Sequence, residues 1–181
     1  MDIYEIPKFV HDTTCDKIVG EIPSTPTIPA DKVFPFYAGR SRYVESFPSR
    51  DVLTDIIDRI KNKAFETFGH KVGMTYTDVV SWYPGQRMPP HCDTVNLFTG
   101  NLHFHPGTEI RDYTAILYLN DDFEGGKIFF PELLVSIEPE KGKLVLFPSN
   151  IDYVHGITEI RSGVRHSFPM WFHIIRDTSM V

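Results

Sequence analysis

The stretch YTAILYLNDDFEGGKIFFPE, residues 113–132, contains two short runs that are rich in aromatic and β-branched side chains. The segment between them, DDFEGG (residues 121–126), combines acidic residues with two adjacent glycines, which is typical of a turn. The stretch therefore predicts two short β-strands joined by a tight connection.

The same pattern continues on both sides of this stretch. Four further runs are short, aromatic and β-branched: TYTDVVSWY (75–83), GKLVLFP (142–148), YVHGITEI (153–160) and VRHSFPMWFHI (164–174). Turn-forming residues separate these runs. Many short strands at close spacing predict a β-sandwich or jelly roll, with helices packed outside it.

Two amphipathic helices are predicted before residue 75, over residues 11–22 and 49–70. Apolar residues recur at helical spacing in both segments, which is the pattern of a helix that packs on a sheet. Asp12 or Thr13 is expected to cap the N-terminus of the first helix. Ser49 is expected to cap the N-terminus of the second helix, and Gly69 is expected to end it.

The chain has 181 residues, a length that suits one domain. We expect a single α+β domain over residues 1–181 that is mainly β. Residues 1–73 would supply helical support and an extended segment, and residues 74–176 would form the β core. Four prolines within residues 23–37 favour that extended segment over regular structure.

The overall charge and the cysteine content exclude several classes of protein. The net charge of −6 disfavours stable binding to nucleic acid or anionic membranes, which attract basic surfaces. Arg40, Arg42 and Arg50 are best interpreted as solvated surface residues. Two distant cysteines form no disulfide framework, and neither a signal peptide nor a membrane-spanning run is evident. We therefore expect a cytoplasmic protein.

A candidate metal site follows the strand DVVSWYPG, in the sequence MPPHCDT (residues 88–94). His91 and Asp93 lie two residues apart at the start of a long segment without a strand pattern. An HxD pair alone is too short to be specific, so a third ligand is needed. Cys92 lies between the two, and its side chain is expected to point away from a metal bound by them.

His155, in YVHGI, is the best third ligand, because it lies in an apolar strand region beside Gly156. A lone histidine there would more often be a core residue. Together with His91 and Asp93 it completes two imidazoles and one carboxylate, the usual set for non-haem Fe(II) that activates O2. The other histidines are weaker candidates: His11 and His70 as surface residues, His103 and His105 as substrate contacts or solvent-exposed residues, and His166 and His173 on the last strand.

Arg165 lies ten residues after His155 in an apolar and aromatic strand. A buried guanidinium is costly unless it is paired, so this arginine is either a surface residue or a bidentate partner of a carboxylate. Tyr118, in ILYLN, is a second strand residue whose hydroxyl would need a partner if it were buried.

These motifs together resemble a known family. RDYTAILYLNDDFEGGKIFFPE, VSIEPEKGKLVLFPS and VHGITEIRSGVRHSFPMWF resemble, in order, the Fe(II)/2-oxoglutarate-dependent dioxygenases of the prolyl 4-hydroxylase type. The resemblance runs from about Asp78 to Phe172. Arginine at position 165, rather than lysine, is more similar to the oxygen-sensor and bacterial members than to the collagen-modifying ones.

The resemblance implies a double-stranded β-helix, with Fe(II) held by His91, Asp93 and His155. It implies that Arg165 binds the distal carboxylate of 2-oxoglutarate with help from Tyr118. The implied activity couples O2-driven decarboxylation of 2-oxoglutarate to succinate with hydroxylation of a prolyl residue in a peptide or protein. Ascorbate is a possible reductant for such an enzyme.

The resemblance also suggests residues around the cofactor and the substrate. Tyr83 matches a tyrosine that lines the pocket, although the spacing to the HxD motif is short and Trp82 is the alternative. Arg111 and Trp171 match positions that face the prolyl substrate in relatives. Residues 23–43 and 94–110 are the candidates for closing over the substrate.

Two alternatives stay open at this point. The first is the same chemistry on another substrate: a free amino acid, a nucleobase or a small metabolite. The second is a cupin-like protein that binds a metal without catalysis, against which Arg165 and Tyr118 argue. The sequence does not indicate the hydroxylated carbon or the oligomeric state.

Overall fold

The computed structural model describes residues 2–23, 40–94 and 110–176. Within these residues lie two α-helices, α1 (Asp12–Gly20) and α2 (Arg50–Phe68). The strands are β1 (Tyr4–Ile6), β2 (Arg40–Arg42), β3 (Val72–Thr77), β4 (Val79–Trp82), β5 (Met88–His91), β6 (Tyr113–Tyr118), β7 (Glu124–Gly125), β8 (Ile128–Phe130), β9 (Val135–Ile137), β10 (Leu144–Pro148), β11 (His155–Ile157), β12 (Ile160–Ser162) and β13 (Arg165–Ile174).

Some of the predicted features lie outside the described residues. They are His103, His105 and most of the two segments that were expected to close over the substrate, residues 24–39 and 95–109.

The strands form one large and one small antiparallel sheet. The large sheet has the order β1-β10-β6-β13-β4-β2, and β3 pairs with the outer part of β13. The small sheet has the order β5-β11-β8-β9, and β12 pairs separately with β7. Strands β1 and β2 come from the segment that was expected to supply only helices and extended chain, and they add to the sheet's ends.

The two sheets pack face to face and enclose an apolar layer. Ile116 and Phe147 of the large sheet meet Ile128 and Phe130 of the small sheet in this layer. The other face of the large sheet is covered by both helices, in a second core that includes Ile18, Leu53 and Ile60 of the helices and Phe168, Met170 and Phe172 of β13. This is the predicted double-stranded β-helix with N-terminal support helices.

Strand β13 runs through the middle of the large sheet. It pairs with β6 along one side. Along the other side it pairs first with β4, as far as Ser167, and then with β3, starting at Met170. Pro169 lies in the interval between these two partners. A proline has no N–H for a sheet ladder, and the change of partner explains why it is tolerated in a central strand.

The helix ends differ in part from the prediction. His11, rather than Asp12 or Thr13, is the N-cap of α1, since its Nδ1 accepts a hydrogen bond from the Thr13 amide. Ser49 precedes α2 as expected, but its amide and hydroxyl both donate to the Glu21 carboxylate.

Gly69 ends α2 with a φ of 77°, as predicted, because the left-handed conformation favours glycine.

No helix among the described residues is long and apolar enough to cross a membrane.

The support role of α2 gives a stability prediction. Ile60 is completely buried between the helix and the sheet. We expect Ile60→Ala to lower the free energy of unfolding by about 2–5 kcal/mol, because it removes buried methylenes and leaves a cavity. Urea denaturation measures this loss. Phe65→Ala on the same helix is the control: Phe65 is 48% exposed, and its loss should cost about 1 kcal/mol or less. Equal losses in the two variants would contradict the packing described.

Candidate metal centre and cofactor pocket

Two histidines face each other across the pair β5–β11 of the small sheet. His155 and His91 are direct cross-strand partners, and their ring centroids are 4.5 Å apart. Each Nδ1 lies near a backbone carbonyl, that of Pro89 for His91 (3.1 Å) and that of Tyr153 for His155 (3.0 Å). A carbonyl can only accept, so both Nδ1 atoms carry the proton and both Nε2 lone pairs are left for a metal.

Asp93 places a carboxylate between these imidazoles. Its Oδ1 is 3.6 Å from His91 Nε2, and its Oδ2 is 3.8 Å from His155 Nε2. Ligand atoms of the three residues all lie within 4.8 Å of one another. The distances to Asp93 are too long for hydrogen bonds, but they suit ligands that share one ion at about 2.1 Å.

A buried network of hydroxyl groups fixes the Asp93 carboxylate. The Thr114 hydroxyl on β6 donates to Asp93 Oδ2 at 2.6 Å and lies 2.7 Å from the Ser149 hydroxyl. Since the Thr114 proton goes to Asp93, the Ser149 hydroxyl donates to Thr114. The Ser149 carbonyl accepts in turn from Thr94 at 3.1 Å. The carboxylate is therefore oriented by a chain of two hydroxyls from two different strand ends.

The protonation states of these groups suit metal binding. Burial alone would raise the pKa of the Asp93 carboxyl, but His155, His91 and the Thr114 hydroxyl outweigh burial and hold this pKa below its usual range. Burial lowers the pKa of His155 to about 4, although Asp93 opposes the shift. Asp93 is therefore ionised and His155 neutral at pH 7, which are the forms that bind a cation.

Two residues beside the ligands have structural roles. The Cys92 Sγ is not part of the ligand cluster and lies near the Thr94 hydroxyl and the Ser149 carbonyl. Gly156 does not leave empty space beside His155. A Cβ at this glycine would lie 2.7 Å from the Phe129 ring and 2.8 Å from the Met88 carbonyl, so the glycine permits close packing of neighbouring strands.

Arg165 is buried in the same cavity, with 1% of its surface exposed. Its Nη1 donates to the Ser167 hydroxyl at 2.8 Å, whereas Nε and Nη2 have no hydrogen-bond partner among the described residues. The guanidinium carbon lies 5.0 Å from the centre of the Tyr118 ring. Because buried donors are rarely left unsatisfied, this guanidinium has the features of an anion-binding group.

Tyr118 is buried beside Arg165, and its hydroxyl also lacks a hydrogen-bond partner among the described residues. Burial raises the pKa of this phenol, with Arg165 opposing the shift. The hydroxyl is therefore protonated at neutral pH and can donate to an anion held by Arg165.

The cavity that contains these groups is mainly apolar. Its lining consists of Val80, Trp82, Met88, His91, Asp93, Thr114, Ile116, His155, Ile157, Arg165, Ser167, Pro169 and Trp171. Trp82, rather than Tyr83, lines the cavity, because β4 turns the Trp82 side chain inward, where it is buried. Tyr83 lies just after this strand and is half-buried. The cofactor contact expected for Tyr83 stays a prediction.

Arg111 and Trp171 lie at the metal end of the cavity. The Arg111 guanidinium carbon lies 4.3 Å from the centre of the Trp171 ring, and Arg111 Nη1 donates to the Asp93 carbonyl at 3.3 Å. Arg111 therefore contacts a candidate metal ligand and Trp171 lines the cavity, and the substrate contacts expected for both residues stay a prediction.

The remaining described histidines lie away from these ligands. His166 points to the opposite side of β13 from Arg165 and contacts Ser81, and His173 contacts Thr75. His70 contacts the Tyr113 hydroxyl, and His11 caps α1.

Sequence reasoning did not identify Thr114 and Ser149 as parts of the site. The sequence offers two signals for them: Thr114 lies in an otherwise apolar strand, and Ser149 directly follows such a strand. Both patterns are common in proteins and do not by themselves indicate a site.

A family model for the 2OG-Fe(II) oxygenase superfamily matches residues 77–173, which include all the residues that meet in this cavity. This chain belongs to the 2OG-Fe(II) oxygenase superfamily. The match confirms the family that the sequence motifs predicted, together with Fe(II) and 2-oxoglutarate as the cofactors of that family.

Known proteins similar to this oxygenase include prolyl hydroxylases. It is 39% identical to human prolyl 3-hydroxylase 2 over 72 residues, which cover 37% of this chain but only 10% of that protein. Its fold is similar to two solved structures. One is the viral collagen prolyl hydroxylase of Paramecium bursaria Chlorella virus-1 in its 2OG complex, with a TM-score of 0.70, 20% identity and 97% of each chain covered.

The other solved structure is a prolyl hydroxylase from Trichoplax adhaerens in complex with a peptide fragment of the hypoxia inducible factor oxygen degradation domain. It has a TM-score of 0.70 and 16% identity, and the alignment covers 96% of this chain and 84% of that one. At these identities the two structures establish the fold of this oxygenase, not its substrate.

The residues of the cavity fit both cofactors of the superfamily. His91, Asp93 and His155 offer the two-imidazole, one-carboxylate set that leaves positions open on Fe(II). At the other end, Arg165 and Tyr118 offer unsatisfied buried donors that match a carboxylate. The cavity therefore suits a small dicarboxylate that spans the distance between a metal and an arginine.

The contact between Thr114 and Asp93 can be tested by metal affinity. We expect Thr114→Val to weaken Mn(II) or Co(II) binding about 10–100-fold, because an outer hydrogen bond orients the ligand carboxylate. Isothermal titration calorimetry on metal-free protein measures this. Thr77→Val is the control, since the Thr77 hydroxyl donates only to the Pro169 carbonyl in the same sheet. Unchanged affinity in Thr114→Val would contradict the proposed orientation of Asp93.

Proposed function

We propose that this dioxygenase hydroxylates prolyl residues in a peptide or protein, with His91, Asp93 and His155 holding Fe(II). Arg165 and Tyr118 would hold the distal carboxylate of 2-oxoglutarate. The observation that carries the cofactor roles is the buried guanidinium of Arg165, which leaves two nitrogens unpaired among the described residues and lies in the same cavity as the metal triad.

The grip on 2-oxoglutarate follows from the geometry around Arg165. Nη1 is already fixed by Ser167, so the planar guanidinium has a defined orientation in which Nε and Nη2 can donate to one carboxylate. The Tyr118 hydroxyl adds a third donor. Burial strengthens these contacts, because water does not compete with a buried anion.

When bound, Fe(II) and 2-oxoglutarate would supply the oxidising chemistry: one atom of O2 enters succinate as CO2 leaves, and the other is inserted into a substrate C–H bond. The protein's own residues orient and enclose these groups. The Nδ1 hydrogen bonds hold both imidazoles in the tautomer that binds a metal, and Thr114 turns the Asp93 carboxylate toward them. The apolar side chains of Val80, Ile116 and Ile157 exclude water from the space between.

The prolyl substrate is supported by the character of the metal end of the cavity. Among the described residues at this end, Pro169, Trp171 and Thr114 are uncharged, and the Arg111 guanidinium lies over the Trp171 ring. An uncharged, apolar and relatively flat group suits this entrance better than a free amino acid, whose ammonium group would lack a partner among Pro169, Trp171 and Thr114. The prolyl hydroxylases among the similar known proteins add support for the same substrate class.

The carbon that is hydroxylated is left open by these observations. The matching stretch of human prolyl 3-hydroxylase 2 covers a small part of that protein, and the sequence motifs resemble prolyl 4-hydroxylases. Product analysis must therefore distinguish 3-hydroxyproline from 4-hydroxyproline.

The role of Arg165 can be tested without turnover. Under anaerobic conditions, Fe(II) protein titrated with 2-oxoglutarate should show a weak visible charge-transfer band. We expect Arg165→Ala to need about 100-fold more 2-oxoglutarate for this band, since it removes a buried bidentate charge–charge contact. Fe(II) affinity should be retained.

Arg161→Ala is the matched control for this titration, because Arg161 lies on β12 nearby but is exposed. An equal loss of 2-oxoglutarate affinity in Arg161→Ala, or none in Arg165→Ala, would contradict the proposed grip.

The substrate class is tested by turnover with peptides. We expect proline-containing peptides to stimulate succinate formation and to gain 16 Da on a proline, as detected by tandem mass spectrometry. Free proline, other free amino acids and nucleosides are the comparison set. Hydroxylation confined to a free amino acid or a nucleoside would replace the prolyl proposal with the same chemistry on that substrate. Failure to bind 2-oxoglutarate at all would favour a metal-binding protein without catalysis.

A further inference from the structure

A row of side chains leads from the edge of the large sheet to the candidate metal ligands. Trp171 on β13 is the direct partner of Tyr76 on β3 and of Thr114 on β6. Paired residues on neighbouring strands point to the same face of a sheet, so Tyr76, Trp171 and Thr114 lie side by side. Thr114 contacts Asp93, so the row ends at the metal centre.

The two aromatic rings of this row lie against each other in a stacked arrangement, and the Arg111 guanidinium also contacts the Trp171 ring. The centroids of Tyr76 and Trp171 are 6.0 Å apart, and the ring planes differ by only 25°. Trp171 lines the cavity, whereas Tyr76 lies one strand further out and is 41% exposed. We call this pair, Tyr76 and Trp171, the aromatic shelf.

Tyr76 is held in place although it is exposed. Its hydroxyl donates to the buried Asp78 carboxylate at 3.2 Å. A phenol fixed at its far end loses little rotamer freedom when a ligand packs on its ring, which makes such a residue an effective binding contact. Asp78 is therefore a positioning residue for the shelf.

We propose that Tyr76 is a specificity residue that contacts the substrate three positions away from the modified proline, in a peptide that crosses the shelf as a polyproline II helix. This inference deepens the proposed prolyl hydroxylase function and rests on it. Aromatic surfaces are the usual docking sites of proline-rich segments in this conformation. The shelf is continuous with the cavity, so one extended peptide can occupy both.

The spacing of three residues follows from two lengths. Neighbouring strands lie about 4.8 Å apart, so Tyr76 and Thr114, two strands apart, are separated by about 10 Å. A polyproline II helix rises about 3.1 Å per residue and has three residues per turn. Residues three positions apart are therefore about 9 Å apart and lie on the same side of the helix. If the modified proline lies over Thr114 and Asp93, the residue three positions away lies over Tyr76.

The test compares peptides that differ at one position. Each is a nine-residue alanine- and serine-based peptide with the modified proline at the centre and a second proline three positions before it, three positions after it, or two positions away. We expect a second proline at one of the two three-residue positions to raise kcat/KM about three- to tenfold over the peptide without it, mainly through KM. The proline two positions away should have no such effect.

Variants then assign the preference to Tyr76. Tyr76→Ala should abolish the three-residue preference, and Tyr76→Phe, which keeps the ring but not the hydrogen bond to Asp78, should retain part of it. Met74→Ala should leave the preference unchanged. Met74 is the matched control, because it lies on the same strand with 39% exposure but pairs with Phe172, which points to the opposite face. Anaerobic titration with 2-oxoglutarate confirms that each variant retains a folded site.

The outcomes separate this inference from the function on which it rests. If the wild-type enzyme hydroxylates the peptides and Tyr76→Ala keeps the same three-residue preference, the role of Tyr76 is overturned and the prolyl hydroxylase function stands. Wild-type turnover without any positional preference also overturns the shelf. No hydroxylation of any peptide by the wild-type enzyme overturns the proposed function and the shelf together.

Discussion

The burial of one arginine charge is the constraint on which much of this structure depends. Arg165 has 1% of its surface exposed, and only one of its three nitrogens has a hydrogen-bond partner among the described residues. Removing an unpaired cation from water costs several kcal/mol, so the protein alone leaves this charge incompletely stabilised. A carboxylate ligand would supply the missing partner, and its binding free energy would add to the stability of the folded chain.

The metal centre is organised in the opposite way, since its charged group already has fixed hydrogen-bond partners. One carboxylate lies between two imidazoles, and another group orients each of these ligands: a backbone carbonyl for each histidine and the Thr114 hydroxyl for Asp93. A divalent cation bound here would retain a net positive charge. An anionic cosubstrate is therefore favoured at both ends of the cavity, by the metal at one end and by Arg165 at the other.

Strand β13 connects these functions. Its inward-facing residues follow one another from Arg165 through Ser167 and Pro169 to Trp171, so the strand lines the cavity from the buried arginine to the aromatic shelf. Its other face packs Phe168, Met170 and Phe172 against the support helices. The fixed alternation of a strand thus gives one segment a structural face and a functional face.

The sequence by itself determined the β-rich core, the support helices, the HxD pair, the third histidine and the unusual arginine, because period-two patterns and ligand types are local properties of the chain. It did not determine that Trp82 rather than Tyr83 lines the cavity, since a shift of one residue along a strand reverses the face. Nor did it reveal Thr114, Ser149 or Tyr76. Their importance arises only when β3, β6, β13 and the end of β10 become neighbours, and such contacts between residues far apart in sequence exist only in the folded chain.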